Sequence, residues 1–330
     1  MSCEGDFCSV DKLKPGSKRH SSSGSKRGKY ENPDSKPSGS QKGKISIENF
    51  MSLYIFVKQL GNGAFGVVNL MKHAKSDKNY AVKVIKKTDP HTDTKTRNEI
   101  NLSINLDSEY VCKVHSYHED DENFYIFMEY LTGMDLCEFI RKYRTFFINN
   151  PKCFWFVVKS ILQGLVYLHS QGIAHFDIKP ENVFLLLDTA ENIIGVKLID
   201  LGLAVKINEN ERKFRGTASY MAPEFFHLCW STEFKADIWS LGMTAYAMLM
   251  ASLPISSRKK DHQLAQQEIY HKIEKLLSFT KITPFPKRSD CKEIFQIEEF
   301  IALCFIVDPS ERPTAQQLLD FILAIKLSNT

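Results

Sequence analysis

Between Tyr54 and Lys86 the apolar positions fall in three short runs, YIFVKQL, VVNLMKH and YAVKVIK. Each is rich in β-branched or aromatic residues and is bounded by glycine or polar residues, which predicts strand–turn–strand–turn–strand. Thr94 to Leu106 has a helix-compatible composition. Tyr110–Tyr117 and Phe124–Tyr130 read as two further strands around the charged turn Glu119–Asn123. The sum is a five-stranded antiparallel sheet with one inserted helix. After Gly133 the pattern becomes largely helical: Leu136–Tyr143, Lys152–Gln171, Ala236–Ala251 and several C-terminal helices. Strands lead and helices follow, so the expected class is α+β in two lobes, a small one over about 50–131 and a larger, mainly helical one over about 132–326. No internal repeat is visible.

Ahead of this pattern, residues 1–44 are rich in Ser, Gly, Lys and Pro and nearly devoid of large apolar side chains. Such a segment cannot offset its ordering entropy by burial and is expected to be a disordered basic tail, with the folded domain over 45–330. The tail holds ten Lys/Arg against five Asp/Glu, while the whole chain carries a formal net charge of +4. The domain itself is therefore near neutral, and its balance gives no reason to expect nucleic-acid binding. The clusters Lys18-Arg19-His20 and Lys26-Arg27-Gly28-Lys29 fit a solvated tail, or alternatively a nuclear-import or phosphorylatable docking signal.

The chain has 330 residues and eight cysteines, with no C-x-x-C pair. This is the usage of reduced thiols, pointing to an intracellular protein, cytoplasmic or nuclear, without a disulfide frame or zinc site. The start of the chain lacks the apolar core of a secretory signal. The longest apolar stretch, Leu241–Ile255, is short for a bilayer span and is closed by Pro254, so a soluble protein without membrane contact is expected.

The chemistry concentrates in a few places. Gly61-Asn62-Gly63-Ala64-Phe65-Gly66, followed by Val67-Val68, lies between two strands, whereas a dinucleotide-binding glycine turn opens a helix. Strand–turn–strand placement makes it a flap whose backbone N–H groups can approach phosphates, although a plain glycine hairpin has the same pattern. Lys83 sits in an apolar strand, where an unpaired ammonium is costly, and Glu99 on the following helix is an available partner. Downstream, His175-Phe176-Asp177-Ile178-Lys179-Pro180-Glu181-Asn182 precedes Asp200-Leu201-Gly202, and Asp200 emerges from the apolar run Val196–Ile199.

In this order, the motifs resemble a eukaryotic-type protein kinase from about residue 54 to residue 325. The resemblance implies the two-lobed kinase fold and a serine/threonine protein kinase using ATP and Mg2+ on protein substrates. In that reading Asp177 handles the acceptor hydroxyl proton, Lys179 offsets charge on the transferring phosphoryl group, and Glu99 orients Lys83 onto the α- and β-phosphates. Asn182 and Asp200 would hold the metal. Adenine would lie between Val68 and Ala81 above and Phe184 below, under Leu60 and the Gly61–Gly66 flap. The hinge would be Met128-Glu129-Tyr130-Leu131, and Asp135 would stand near the ribose. Gly216-Thr217 to Glu224 looks like the substrate-positioning loop, with Thr217 bridging Asp177 and Lys179. Asp237 would anchor the catalytic loop, and Arg312 would pair with Glu224.

The chain departs from the family pattern at three places. Phe176 stands where many kinases have an arginine that binds an activating phosphate, and Leu203–Arg215 contains no Ser, Thr or Tyr. Activity independent of activation-segment phosphorylation is the expectation, with control by a regulatory protein partner pressing Glu99 inward left open. Leu201 replaces the usual phenylalanine, and Ser103 replaces an apolar residue four positions after Glu99. Glu181 and Asp135 suggest a preference for basic residues before the target. Two other classes share some of these residues: a catalytically dead kinase fold acting as a scaffold, and a small-molecule kinase.

Overall fold

The computed structural model describes residues 52–63, 66–207, 216–226, 233–255, 267–272 and 291–327. The expected tail over 1–44, the flap residues Ala64 and Phe65, and most of the stretches 208–215 and 256–290 lie outside the described residues.

The small lobe is a five-stranded antiparallel sheet in the order β1-β2-β3-β5-β4, formed by β1 (Tyr54–Gly63), β2 (Gly66–His73), β3 (Asn79–Lys86), β4 (Val114–Glu119) and β5 (Asn123–Glu129). Helix α1 (Pro90–Ser103) crosses between β3 and β4. It begins four residues earlier than composition suggested. Asp89 accepts the Thr92 N–H at 3.1 Å and its hydroxyl at 2.7 Å, and Pro90 occupies the first turn. The sheet face towards α1 buries Ile85, Val114, Phe124 and Ile126 against Ile100. The opposite face buries Met71, Val82 and Phe127.

The fourth strand starts at Val114 rather than Tyr110. Residues 110–112 zip instead onto the large lobe: Leu198 N–H donates to the Tyr110 carbonyl and Cys112 N–H to the Leu198 carbonyl, both at 2.8 Å. Val111 bridges Leu198 in parallel. A non-local partner thus captured a segment whose composition reads as a continuous strand.

The large lobe contains α2 (Leu136–Lys142), α3 (Phe146–Asn149), α4 (Pro151–Ser170), α5 (Glu233–Met250), α6 (Lys292–Cys304) and α7 (Ala315–Leu327). A three-stranded sheet of β6 (Gly133–Asp135), β8 (Val183–Leu187) and β9 (Ile193–Leu198) carries the cleft floor. A short pair, β7 (Ile173–Ala174) and β10 (Val205–Lys206), brackets residues 175–204. Helix α5 ends at Met250, and Ala251 takes a left-handed φ of 48° ahead of Pro254, so the apolar run to Ile255 is not one helix. By length and composition α4 is apolar enough to cross a membrane, but 56% of that window is buried inside the protein. Phe154, Val157, Ile161, Leu165 and Leu168 are wholly inaccessible there, as expected of the central helix of a large core.

Candidate active site

Lys83 points from β3 to two carboxylates. Its Nζ lies 2.7 Å from Glu99 Oε1 and 3.0 Å from Asp200 Oδ1. Burial alone would push the ammonium pKa down, but the Glu99 and Asp200 charges outweigh it and hold it above the ordinary lysine value. Burial pushes Asp200 up, yet Lys83 and the Gly202 N–H at 3.2 Å more than offset that, and its pKa lies below the ordinary range. This pairing is why a lysine can stand in an apolar strand at 7% exposure.

The second cluster centres on Asp177. Its Oδ1 accepts the Thr217 hydroxyl at 2.7 Å and the Thr217 N–H at 3.1 Å. Its Oδ2 meets Lys179 Nζ at 2.8 Å and Asn182 Nδ2 at 2.8 Å. Lys179 also donates to the Thr217 hydroxyl at 2.7 Å, so Asp177, Lys179 and Thr217 form a closed triangle. Asn182 joins this cluster to the first, because its carbonyl accepts the Ile199 N–H at 2.9 Å, one residue before Asp200.

The loop is held from below. Asp237 on α5, fully buried, accepts the backbone N–H groups of His175 at 2.9 Å and Phe176 at 2.7 Å, and its Oδ2 lies 2.9 Å from His169 Nε2. These bonds hold Phe176 at φ 61°, a left-handed conformation costly for an aromatic residue. Asp200 is left-handed as well, at φ 61°. Arg312, also fully buried, forks onto Glu224 at 2.7 and 3.0 Å and stacks 5.2 Å over Trp239, which fixes the end of the 216–226 segment.

The other residues singled out in the sequence fall around the same cleft. Gly61–Gly63 and Gly66–Val68 pair across the tip of β1 and β2, and a Cβ on Gly66 (φ 133°) would stand 2.2 Å from the Val84 carbonyl oxygen, so only glycine fits. Leu60 is exposed at 39% on that hairpin. Ala81 stands opposite Met128 in the β3–β5 register. Leu131 follows β5, and Phe184 is flanked in register by Asp135 on one side and Lys197 on the other. Asp135 caps α2 by accepting the Glu138 N–H at 2.7 Å. Ser103 is buried, and its hydroxyl donates to the Glu99 carbonyl at 2.7 Å, so it turns inward on its own helix. The Glu129 carboxylate is bound to Lys113 and Lys197. Sequence reading overlooked His169 and Lys197, since each acts through a partner more than sixty residues away and belongs to no motif.

Among the described residues no group of three or more His, Cys, Asp or Glu side chains can hold a metal alone. Asn182 and Asp200 offer one amide and one carboxylate oxygen, which suits a hard cation that completes its shell with phosphate oxygens and water.

Residues 54–321 match the protein kinase domain family, and the chain belongs to it. Among its relatives, the serine/threonine-protein kinase cds1 of Schizosaccharomyces pombe is 35% identical over 233 residues, covering 66% of this chain and 48% of that protein. The serine/threonine-protein kinase CG17528 of Drosophila melanogaster is 28% identical over 277 residues, 82% of this chain and 35% of its own length. Calcium-dependent protein kinase 4 of Plasmodium falciparum is 32% identical over 243 residues, 71% and 44% respectively. The chain therefore spans less than half the length of these relatives.

Proposed function

We propose that this chain is an ATP-dependent serine/threonine protein kinase that works with Mg2+ and needs no phosphate on its activation segment. One observation carries the reading. Thr217 is joined to Asp177 by hydroxyl and N–H while Lys83 stands on Glu99 and Asp200, so acceptor and nucleotide ends are assembled together.

In this reading the acceptor hydroxyl oxygen bonds to the γ-phosphorus of ATP, the bridging bond to the β-phosphate breaks, and ADP leaves. The hydroxyl proton passes to Asp177, which Thr217 and Asn182 hold in one orientation. Lys179, already on Asp177, offsets charge on the transferring phosphoryl oxygens, and Lys83 steadies the α- and β-phosphates. Asn182 and Asp200 would hold Mg2+, which when bound neutralises phosphate charge. The hairpin of Gly61, Asn62, Gly63 and Gly66 covers the phosphates, and Val68, Ala81, Met128, Glu129, Leu131 and Phe184 enclose the purine.

Phosphate independence rests on Phe176. An aromatic residue held against the 216–226 segment cannot bind phosphate, and Leu203–Arg215 offers no hydroxyl to modify. A preference for basic residues near the target rests on the exposed Glu181, since Asp135 is engaged as a helix cap. An intracellular setting, cytoplasmic or nuclear, rests on cysteine usage in the sequence, eight residues with no C-x-x-C pair.

The test is transfer of label from γ-labelled ATP to a mixed Ser/Thr peptide library, with and without Mg2+, by wild type and Asp200→Ala. Magnesium-dependent label on serine or threonine, lost in the variant, supports the reading. Equal labelling by both proteins, or none by wild type, overturns it.

A further inference from the structure

Glu129 closes β5 where the chain passes from the small lobe to the large. Side chains alternate along a strand, and Met128 packs into the cluster beneath α1 with Val114 and Ile126, so the Glu129 carboxylate projects from the other face. There Oε1 accepts the Lys113 N–H at 2.7 Å, and the Glu129 N–H donates back to the Lys113 carbonyl at 3.0 Å. The same Oε1 lies 2.8 Å from Nζ of Lys197, with side-chain exposures of 12% for the lysine and 25% for the glutamate. Lys113's own ammonium is 2.7 Å from Asp107, so Lys197 supplies the cation on this carboxylate.

Lys197 belongs to the other lobe. It lies on β9 directly opposite Phe184 on β8, and cross-strand neighbours share a face. Its stem therefore borders the surface expected beneath the purine, while its ammonium reaches the strand end that leads into the hinge. The next residue, Leu198, makes the two 2.8 Å main-chain bonds to Tyr110 and Cys112 that tie the lobes together. One side chain thus connects the floor of the slot to its back edge, beside a backbone zipper that already limits relative movement.

We propose that Lys197 is a positioning residue of the purine slot, fixing the spacing between the Glu129–Leu131 main chain and Phe184 through its ion pair with Glu129. The inference rests on the reading of this cleft as an ATP site. Its consequence is selective. Loss of the pair leaves the Glu129 carboxylate on a single backbone N–H and frees the hinge, so nucleotide binding weakens. The groups around Asp177 have no contact with this pair, and phosphoryl transfer from bound nucleotide persists.

The experiment measures ADP and ATP affinity by calorimetry, together with separate KM values for ATP and peptide, in wild type, Lys197→Met, Lys197→Arg and Glu129→Gln. A part-buried ion pair acting at one remove predicts about fivefold weaker nucleotide binding and a matching rise in KM for ATP in Lys197→Met. Peptide KM and kcat should change by less than about twofold, Lys197→Arg should restore affinity, and Glu129→Gln should reproduce the loss. Unchanged ADP affinity in both Lys197→Met and Glu129→Gln overturns the inference. So does a parallel rise in both KM values that arginine fails to rescue, which would mark general loosening. Wild type that binds no nucleotide refutes the ATP reading itself, and the inference with it.

Discussion

The ring of Phe176 meets the ring of Phe225 edge-on, with centroids 5.4 Å apart and planes at 89°. The contact joins the residue before Asp177 to the segment that ends at the Glu224–Arg312 pair. Beside it, a Cβ on Gly216 (φ 115°) would stand 2.7 Å from the Phe176 carbonyl oxygen, so the two chain segments touch. Where many kinases place an arginine that attracts a phosphate, this chain has an aromatic contact, and the proposed independence from phosphorylation can be tested on it. Purified enzyme treated with a broad phosphatase should keep its rate within about twofold, while Phe225→Ala, which removes an aromatic pair worth about 1 kcal/mol, should slow it severalfold. A tenfold loss on dephosphorylation, traced to a site within 200–224, contradicts this account.

Removal of Arg312 should be felt strongly in stability. Besides Glu224, its guanidinium donates to the carbonyls of Ile306 at 2.8 Å, Lys235 at 2.7 Å and Val307 at 3.2 Å. Arg312→Leu leaves the Glu224 carboxylate buried without its cation, a change that costs about 3–5 kcal/mol. Thermal unfolding should show a large drop. A Tm within about 1 °C of wild type would mean that the pair adds nothing, given that one kcal/mol shifts Tm by about 2–4 °C in a domain of this size.

The helix carrying Glu99 was hard to bound from sequence because its threonines, histidine and asparagines give it little intrinsic helical preference. It is held by its partners instead. Lys83 grips Glu99, and Arg97 forks onto Glu119 of β4 at 3.2 and 2.7 Å while stacking 5.0 Å over Phe124. By contrast the strands around Lys83 and the residues from His175 to Asn182 were legible, since alternation and close spacing are local signals. The zipper of 110–112 onto Leu198 and the Lys197–Glu129 pair were not, because both depend on segments distant in sequence that meet only in the fold.

Lys83 carries two carboxylate contacts, to Glu99 and Asp200, that the proposed reaction uses. Lys83→Met keeps the aliphatic stem but leaves Glu99 and Asp200 without their cation. The prediction is a loss of at least about hundredfold in kcat/KM, or about 2.7 kcal/mol of transition-state stabilisation. Steady-state assays at saturating peptide check it, and a loss below about threefold would remove Lys83 from the reacting site.

Cysteine chemistry gives a test independent of activity. Burial, helped by the nearby Glu129 charge, pushes the Cys112 thiol up to about 12. A raised thiol pKa means that the neutral form persists as pH rises, so at about pH 8 the reactive thiolate is scarce. Iodoacetamide followed by mass spectrometry should label the exposed Cys291 in the native protein faster than the half-buried Cys112, whose labelling should speed up when denaturant is added. Rapid native labelling of Cys112 would show that the segment beside Leu198 is open.

Asp177, held by Thr217, Lys179 and Asn182, is proposed to handle the acceptor proton while nucleotide occupies the Lys83 end of the same cleft. Asp177→Asn tests it most directly when kcat and ATP affinity are measured on the same preparation. The expected result is a fall in kcat of at least about hundredfold with nucleotide affinity kept within about twofold. A variant that turns over at close to the wild-type rate would contradict it.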